Sequence, residues 1–131
     1  MRLVPNSDLP DPPAARADRF VEYDFGFERG KLVLISQREK LESQPVLTPR
    51  RMGRFAVELF LGPELVERVR FDFPLLGDGS GSALENGLST QTRVLVPLLS
   101  RATRARLLDR KSRQELILQW PPALVEHPTT P

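Results

Sequence analysis

The amino-acid sequence predicts an all-β fold, an antiparallel β-sandwich of about seven strands. Apolar and polar residues alternate over short segments such as VEYDFGF (residues 21–27), and this period of two is that of a half-buried strand. Turn residues separate such segments about every ten residues. No segment carries the longer period of an amphipathic helix. A sandwich and a barrel share this pattern, so the sequence leaves the choice between them open.

The distribution of proline divides the chain of 131 residues into a folded unit and two extended ends. Four of the 13 prolines lie in residues 1–13 and four in residues 121–131. We therefore expect Pro-rich arms or linkers at residues 1–19 and 121–131, with one β-sandwich domain at residues 20–120. Linkers at both ends indicate that the domain belongs to a larger protein or assembly.

Three hairpins follow from pairing the alternating segments across their turns. They place Glu28 opposite Lys31, with Arg29 and Gly30 at the turn, Leu61 opposite Leu65, Glu58 opposite Arg68, and Asp109 opposite Gln114. In the second hairpin Glu67 alone interrupts the apolar face. Because Glu67 lies beside the turn, we expect its side chain to be exposed.

The later strands resemble those of bacterial immunoglobulin-like or fibronectin-III-like accessory domains. The likeness lies in FAVELFLGPELVERVRFDFP, followed by VLVPLLSRATRARLLDRKSRQELILQW, and covers about residues 54–120. There a hairpin ends in a Phe-rich segment, a V-x-V-P strand follows, and a last hairpin closes the second sheet. The resemblance implies an immunoglobulin-like module for protein–protein interaction or structural support. It implies no site residues, and the Cys pair of true immunoglobulin domains is missing.

The residues needed for most catalysis and metal binding are scarce in this chain. There is no cysteine, and the one histidine, His127, lies in the Pro-rich C-terminal end. These counts exclude disulfides, thiolate nucleophiles, His-based triads and His/Cys metal sites. The acidic residues show no paired spacing. We therefore expect no enzyme activity, no cofactor and no metal.

The N-terminal segment and the lack of a long apolar run bear on localisation, and the net charge bears on the kind of partner. The N-terminal segment has no apolar core of a signal peptide, and no apolar run reaches the length of a membrane span. We expect a cytoplasmic protein if Met1 is the native start, and an extracytoplasmic one remains open if the chain is an excised domain. The formal net charge of +2 favours a protein partner over nucleic acid.

An alternative function rests on PRRMGRF (residues 49–55) and on the Gly/Ser-rich segment at residues 77–91. The first has arginines in R-x-x-x-R spacing before a strand, and the second has a D-x-S string. Together they resemble the motifs of PilZ domains, which bind cyclic di-GMP, although the final glycine of D-x-S-x-x-G is Ala83 here. The resemblance implies a nucleotide sensor whose guanidinium groups hold phosphate and guanine. Its site residues are Arg50, Arg51, Arg54, Asp78 and Ser80.

The basic hairpin at residues 101–120 allows three interpretations. We expect its outer face to be solvated, since charged edges discourage sheet-to-sheet pairing. The same face is a candidate surface for an acidic protein partner, comprising Arg101, Arg104, Arg106, Arg110, Lys111 and Arg113. A weaker alternative is non-specific nucleic-acid binding through residues 101–113. No aromatic residue is interleaved for base stacking, because Trp120 falls on the apolar face.

Overall fold

The computed structural model describes residues 10–48, 51–74 and 89–123, and these residues form seven strands and no helix. The strands are β1 (Arg16–Glu28), β2 (Lys31–Leu47), β3 (Phe55–Leu61), β4 (Glu64–Phe71), β5 (Ser89–Pro97), β6 (Arg104–Asp109) and β7 (Glu115–Leu118). The predicted all-β class is confirmed. The first two strands, of 13 and 17 residues, are longer than the short strands that the pattern indicated. None of the described residues belongs to a helix that could cross a membrane.

The strands form two antiparallel sheets, which agrees with the predicted sandwich. Sheet A has the order β2-β1-β5, and sheet B has the order β4-β3-β6-β7. The alternating apolar residues of both sheets face one another and share one buried core. In sheet A the strands β2 and β5 are edges, and in sheet B the strands β4 and β7 are edges.

Phenylalanine rings join the two sheets. Phe27 of β1 packs edge-on against Phe55 of β3 with ring centroids 5.5 Å apart, and Phe55 packs against Phe73 at 4.8 Å. Phe25 stacks on Phe71 of β4 at 5.8 Å. Such aromatic pairs add roughly 0.5–1.5 kcal/mol to the stabilisation from burial alone. The cluster therefore holds sheet A on sheet B.

The predicted strand registers hold, with one exception beside a turn. Glu28 pairs with Lys31, Glu58 pairs with Arg68, and the backbone N–H of Asp109 donates to the carbonyl of Gln114 at 2.8 Å. Near the β3–β4 turn, Leu61 pairs with Glu64 rather than with Leu65. A register shift between Leu59 and Phe60 accounts for the difference, because β4 carries an extra residue there.

Glu67 is buried, which contradicts the expected exposure beside the turn. Its Oε2 accepts a hydrogen bond from the backbone N–H of Ala15 at 2.9 Å, and its Oε1 accepts one from the N–H of Arg68. Glu67 pairs with the buried Leu59 in the predicted register, and the chain before β1 lies against it. The carboxylate of Glu67, which interrupts the apolar face in the sequence, thus binds the backbone N–H of Ala15.

The N-terminal boundary of the sheet lies inside the region expected to be an arm. β1 begins at Arg16, and Asp11 Oδ1 accepts hydrogen bonds from Arg68 Nη1 at 2.9 Å and from Arg70 Nη2 at 3.0 Å. Residues 10–15 are therefore fastened to β4. In the predicted C-terminal arm, the carbonyl of Ala123 accepts a hydrogen bond from Gln37 Nε2 at 3.1 Å, and residues 1–9 and 124–131 are outside the described ranges.

Gly53 lies where a larger side chain does not fit. A Cβ atom at this position would be 2.3 Å from the backbone oxygen of Phe71. We expect Gly53→Ala to lower the free energy of unfolding by about 1–3 kcal/mol, because backbone must move to admit the methyl group. Urea unfolding measures the change, with the neighbouring Met52→Ala as control, which should stay within about 0.5 kcal/mol because Met52 is exposed. Equal effects of the two variants would contradict the clash.

Candidate functional site

Strand β2 is the longest strand of the described residues, and one of its two edges is open. It pairs with β1 alone, and no strand in the part of the chain that the structure describes continues sheet A beyond it. The open edge of a strand presents backbone N–H and C=O groups to an added strand. Backbone recognition of another chain is therefore the chemistry that β2 can offer.

The facing sheet covers only the first part of β2. Gln114, just before β7, accepts a hydrogen bond from the N–H of Leu32 at 2.6 Å and donates one to the carbonyl of Gly30 at 2.8 Å. Leu32 is the one buried residue of β2. Because β7 has only four residues, the core side of β2 farther along faces no strand of sheet B. Two polar residues, Gln37 and Glu39, occupy this side and are half-buried: Gln37 Nε2 donates to the carbonyl of Ala123, beyond β7, at 3.1 Å, and Glu39 pairs with Arg19.

Two of the charged side chains in the middle of β2, Arg38 and Glu39, form ion pairs within sheet A. Arg38 pairs with Glu22, and Ser36 Oγ donates to Asp24 at 2.7 Å. This hydrogen bond from Ser36, together with Arg93, lowers the pKa of Asp24 below its ordinary value. β2 therefore presents backbone groups, apolar side chains and exposed polar side chains such as Lys40 to another molecule.

Exposed apolar side chains are concentrated on β2. Of the eight large apolar side chains that are exposed in the described residues, five belong to this strand, and they are Leu34, Ile35, Leu41, Val46 and Leu47. Leu41 is the most exposed of the five, at 66%. Single exposed apolar residues are ordinary on a protein surface, but a series along an open strand edge favours a binding role.

Two irregularities limit the length of edge on which a strand can be added. The β1–β2 register shifts between Ala17 and Arg19 and again between Asp24 and Phe25. Between the shifts, residues 36–41 pair regularly with β1 over six positions. We call residues 36–41 the β2 edge segment. At about 3.4 Å per residue it spans roughly 20 Å, enough for a short added strand. The flanking bulges bend the chain and confine regular pairing to this segment.

Of the predicted nucleotide-site residues, Arg54 is engaged in an internal ion pair. Its Nε and Nη2 donate to the two carboxylate oxygens of Asp109 at 2.7 Å each, and its guanidinium lies over the rings of Phe27 and Phe55. A bidentate pair of this kind occupies the donors that a phosphate would need. Arg51 is exposed and lies apart from this pair, at a cleft between β4 and β5. Arg50, Asp78 and Ser80 are outside the described ranges, so the cyclic di-GMP site stays a prediction.

The pair with Arg54 makes stability depend on acid pH through Asp109. Burial alone would raise the pKa of Asp109, but hydrogen bonds from Arg54, Ser112 and the N–H of Lys111 outweigh it and lower this pKa below the ordinary 3.8. The stabilisation of the folded state by ionised Asp109 is therefore fully present above pH 3.8, and it is lost as the pH falls through the folded-state pKa of Asp109. Between neutral pH and pH below 3.8, we expect wild type to lose more unfolding free energy than Asp109→Asn. Parallel denaturation curves for the two proteins over this range would contradict the prediction.

The predicted basic surface of the last hairpin is divided by burial. Its exposed members are Arg101, Arg104, Lys111 and Arg113, and Arg110 is half-buried. Arg106 is buried, and it donates to Glu58 at 2.8 Å and to Glu115 at 2.6 Å. Leu108 on the same face is buried as well. The face is thus not solvated throughout, and Arg106 contributes to an internal ion network rather than to the surface. Binding of an acidic partner or of nucleic acid by the remaining residues stays a prediction.

The sequence analysis missed the β2 edge segment, because residues 37–47 are mostly polar and do not alternate. The alternation of β1 covers residues 21–27 only, so it gives no sign that β1 and β2 extend to Arg16 and Leu47. The Gly/Ser-rich segment and His127 fall outside the described ranges, except for residues 89–91, which belong to β5.

Comparisons with known proteins add no relative. No protein-family model, no curated protein and no solved structure matches this chain. The candidate site therefore rests on the geometry of β2.

Proposed function

We propose that this chain is a non-catalytic β-sandwich module that binds a protein partner, and that the partner adds a strand to the β2 edge segment. The observation that carries the proposal is a regular, open edge of six residues on a strand with exposed apolar side chains. In strand addition, backbone hydrogen bonds supply affinity and alternate side chains supply specificity. Leu41 on one face and Lys40 on the other are the exposed side chains that such a partner would contact.

We also propose the immunoglobulin-like class for this sandwich. Its support is the division of seven strands between sheets of three and four, with β3, β6 and β7 adjacent in one sheet. The order departs from that class in sheet A, where β1 and not β2 is the central strand. In this arrangement the long second strand becomes an edge, which is the feature that the proposed function needs.

Site-specific crosslinking tests where a partner binds. Because the chain has no cysteine, a cysteine introduced at Leu41 is the sole attachment point for a photoreactive group. Met52→Cys is the matched control, since Met52 is exposed and lies outside sheet A. In an extract of the source cells, we expect the group at position 41, and not the group at position 52, to crosslink to one protein. Identical products at both positions, or none at position 41, would count against binding at β2.

A proline pair separates loss of binding from loss of folding. Along a strand, consecutive N–H groups point to opposite edges, so of Glu39→Pro and Lys40→Pro one removes a donor from the β1–β2 ladder and the other removes one from the open edge. We expect one variant to unfold more readily and the other to keep its thermal stability but lose the crosslinked partner. If the variant of unchanged stability still binds the partner as well as wild type does, strand addition is not the binding mode.

A further inference from the structure

The outer face of sheet B binds a carboxylate from this chain's own N-terminal segment. Val69 and Phe71 of β4 belong to the core, so Arg68 and Arg70, which alternate with them, point to the opposite face. There Asp11 Oδ1 accepts hydrogen bonds from Arg68 Nη1 at 2.9 Å and from Arg70 Nη2 at 3.0 Å. The two arginines, which we call the β4 arginine pair, thus form a carboxylate-binding site.

The arginine side of this site is built into the sheet. The side chain of Arg68 is fully buried, and its Nε donates to Glu58 at 2.7 Å, so the guanidinium is held with Nη1 directed at Asp11. A third guanidinium lies close by, since burial together with the charges of Arg70 and Arg68 lowers the pKa of Arg110 below its ordinary value. Positive charge that is held in place and partly removed from water favours an anionic group.

Asp11 uses only part of what Arg70 can donate. The Nε and Nη2 of an arginine form a fork that fits the two oxygens of one carboxylate. Arg54 uses this whole fork on Asp109, at 2.7 Å for each contact. In Arg70 the Nη2 binds Asp11, whereas the Nε is buried and has no acceptor. A buried N–H without an acceptor is unfavourable, so a better-placed carboxylate would bind the β4 arginine pair more tightly than Asp11 does.

Residues 10–15 can leave this site without the loss of a strand. β1 begins at Arg16, so the segment precedes both sheets. The prolines at positions 10, 12 and 13 have no N–H to donate, and the side chain of Asp11 is 28% exposed. Beyond Asp11, the segment is attached at Ala15, next to the start of β1. Extended segments of this kind, rich in proline, are a form in which peptides bind to proteins.

From these contacts we propose that the β4 arginine pair is a receptor site for an acidic, proline-flanked segment of a protein partner, and that residues 10–15 of this chain occupy the site until that segment replaces them. The incoming carboxylate accepts hydrogen bonds from Arg68 Nη1 and from both Nε and Nη2 of Arg70. Its flanking prolines keep the segment extended before it binds, which lowers the entropy cost of binding. The site lies on sheet B and is separate from the β2 edge segment.

Titration with a peptide tests this site. A synthetic peptide with the sequence PDPPAA of residues 10–15, blocked at both ends, is added to the full chain and to its Asp11→Asn variant, and the amides of β4 and Arg70 Nε–H are followed by NMR. The chain's own segment competes with the peptide, and Asp11→Asn removes the carboxylate of that competitor. We therefore expect saturable shifts in Asp11→Asn at about tenfold lower peptide concentration than in wild type. No saturable shift in Asp11→Asn, or equal binding of a peptide with Asn in place of Asp, would overturn the proposal.

Matched variants show whether the arginine pair itself is responsible. Asp18→Asn makes the same charge change as Asp11→Asn at an exposed residue of β1, and it should bind the peptide as wild type does. Combined with Asp11→Asn, Arg70→Gln should weaken peptide binding about tenfold, whereas Arg93→Gln, on sheet A, should leave it unchanged. Equal effects within either pair of variants would assign the shifts to non-specific attraction and overturn the proposal. None of these results bears on partner binding at β2.

Discussion

Replacing Glu58 by Gln is expected to lower the free energy of unfolding by about 3 kcal/mol, the largest effect of any single charged residue in the described network. Glu58 lies in the middle of sheet B and receives hydrogen bonds from Arg68 Nε at 2.7 Å and from Arg106 Nε at 2.8 Å. The side chains of Glu58, Arg68 and Arg106 are at most 3% exposed. The neutral amide leaves two buried guanidinium groups without their shared negative charge. Arg68 still pairs with Asp11, and Arg106 still pairs with Glu115. We therefore expect a loss at the lower end of the range that is usual for breaking a buried ion pair.

Glu115→Gln is the control for that prediction, since Glu115 is the other carboxylate that binds Arg106. The Glu115 side chain is 35% exposed, so water can solvate the Arg106 guanidinium in place of this carboxylate. We expect a loss of less than about 1 kcal/mol for this variant. Chemical denaturation of both variants with a common slope gives the comparison. Equal losses for Glu58→Gln and Glu115→Gln would show that burial of the network contributes little.

Replacing Phe55 by Ala is expected to lower the free energy of unfolding by about 3–5 kcal/mol. Phe55 is fully buried and touches rings from both sheets, with centroids 5.5 Å from Phe27, 5.7 Å from Phe71 and 4.8 Å from Phe73. Its removal opens a cavity at the junction of the sheets. The guanidinium of Arg54, 5.0 Å from the ring centroid, loses its apolar support at the same time.

Ile117→Ala is the control for the phenylalanine cluster. Ile117 is a large apolar residue on β7 that is 64% exposed, so its truncation removes apolar volume without opening a cavity. We expect a change within about 0.5 kcal/mol. Should Phe55→Ala be as mild as Ile117→Ala, the ring cluster would not be the element that holds the sheets together.

Local alternation was sufficient to predict the strands and most of their registers. In the β6–β7 hairpin, for example, Ala105 pairs with Leu118 and Leu107 pairs with Leu116, as the apolar positions required. Period-two patterning fixes which face is buried, and a short turn fixes the register, so both are encoded within a few residues. The same logic predicts that Glu58 lies opposite Arg68, as it does in the structure.

Features that depend on distant parts of the chain could not be predicted in this way. Glu67 and Arg106 are buried because other segments supply partners for them, Ala15 in the first case and Glu58 and Glu115 in the second. Charged residues are exposed far more often than buried, so a pattern read locally assigns them to solvent. The bulge beside Leu59 left no local signal either.

The candidate site escaped prediction for the same physical reason. A strand has an open edge when no other strand pairs with it on one side. Whether this is so depends on the order of strands in the sheet rather than on residue type. The polar composition of residues 36–40 also reads as a loop when taken alone. β2 is an edge strand of sheet A because β1 pairs with β2 on one side and with β5 on the other.

Hydrogen exchange at the β2 edge segment is the most direct test of the proposed binding mode. Amide exchange is followed by NMR in the free chain and in complex with the protein captured by the crosslinker at position 41. Strand addition predicts that alternate amides of residues 36–41 become protected in the complex, while those of β7, the edge of the other sheet, do not change. Protection elsewhere, with residues 36–41 exchanging as in the free chain, would contradict partner binding through the edge of β2.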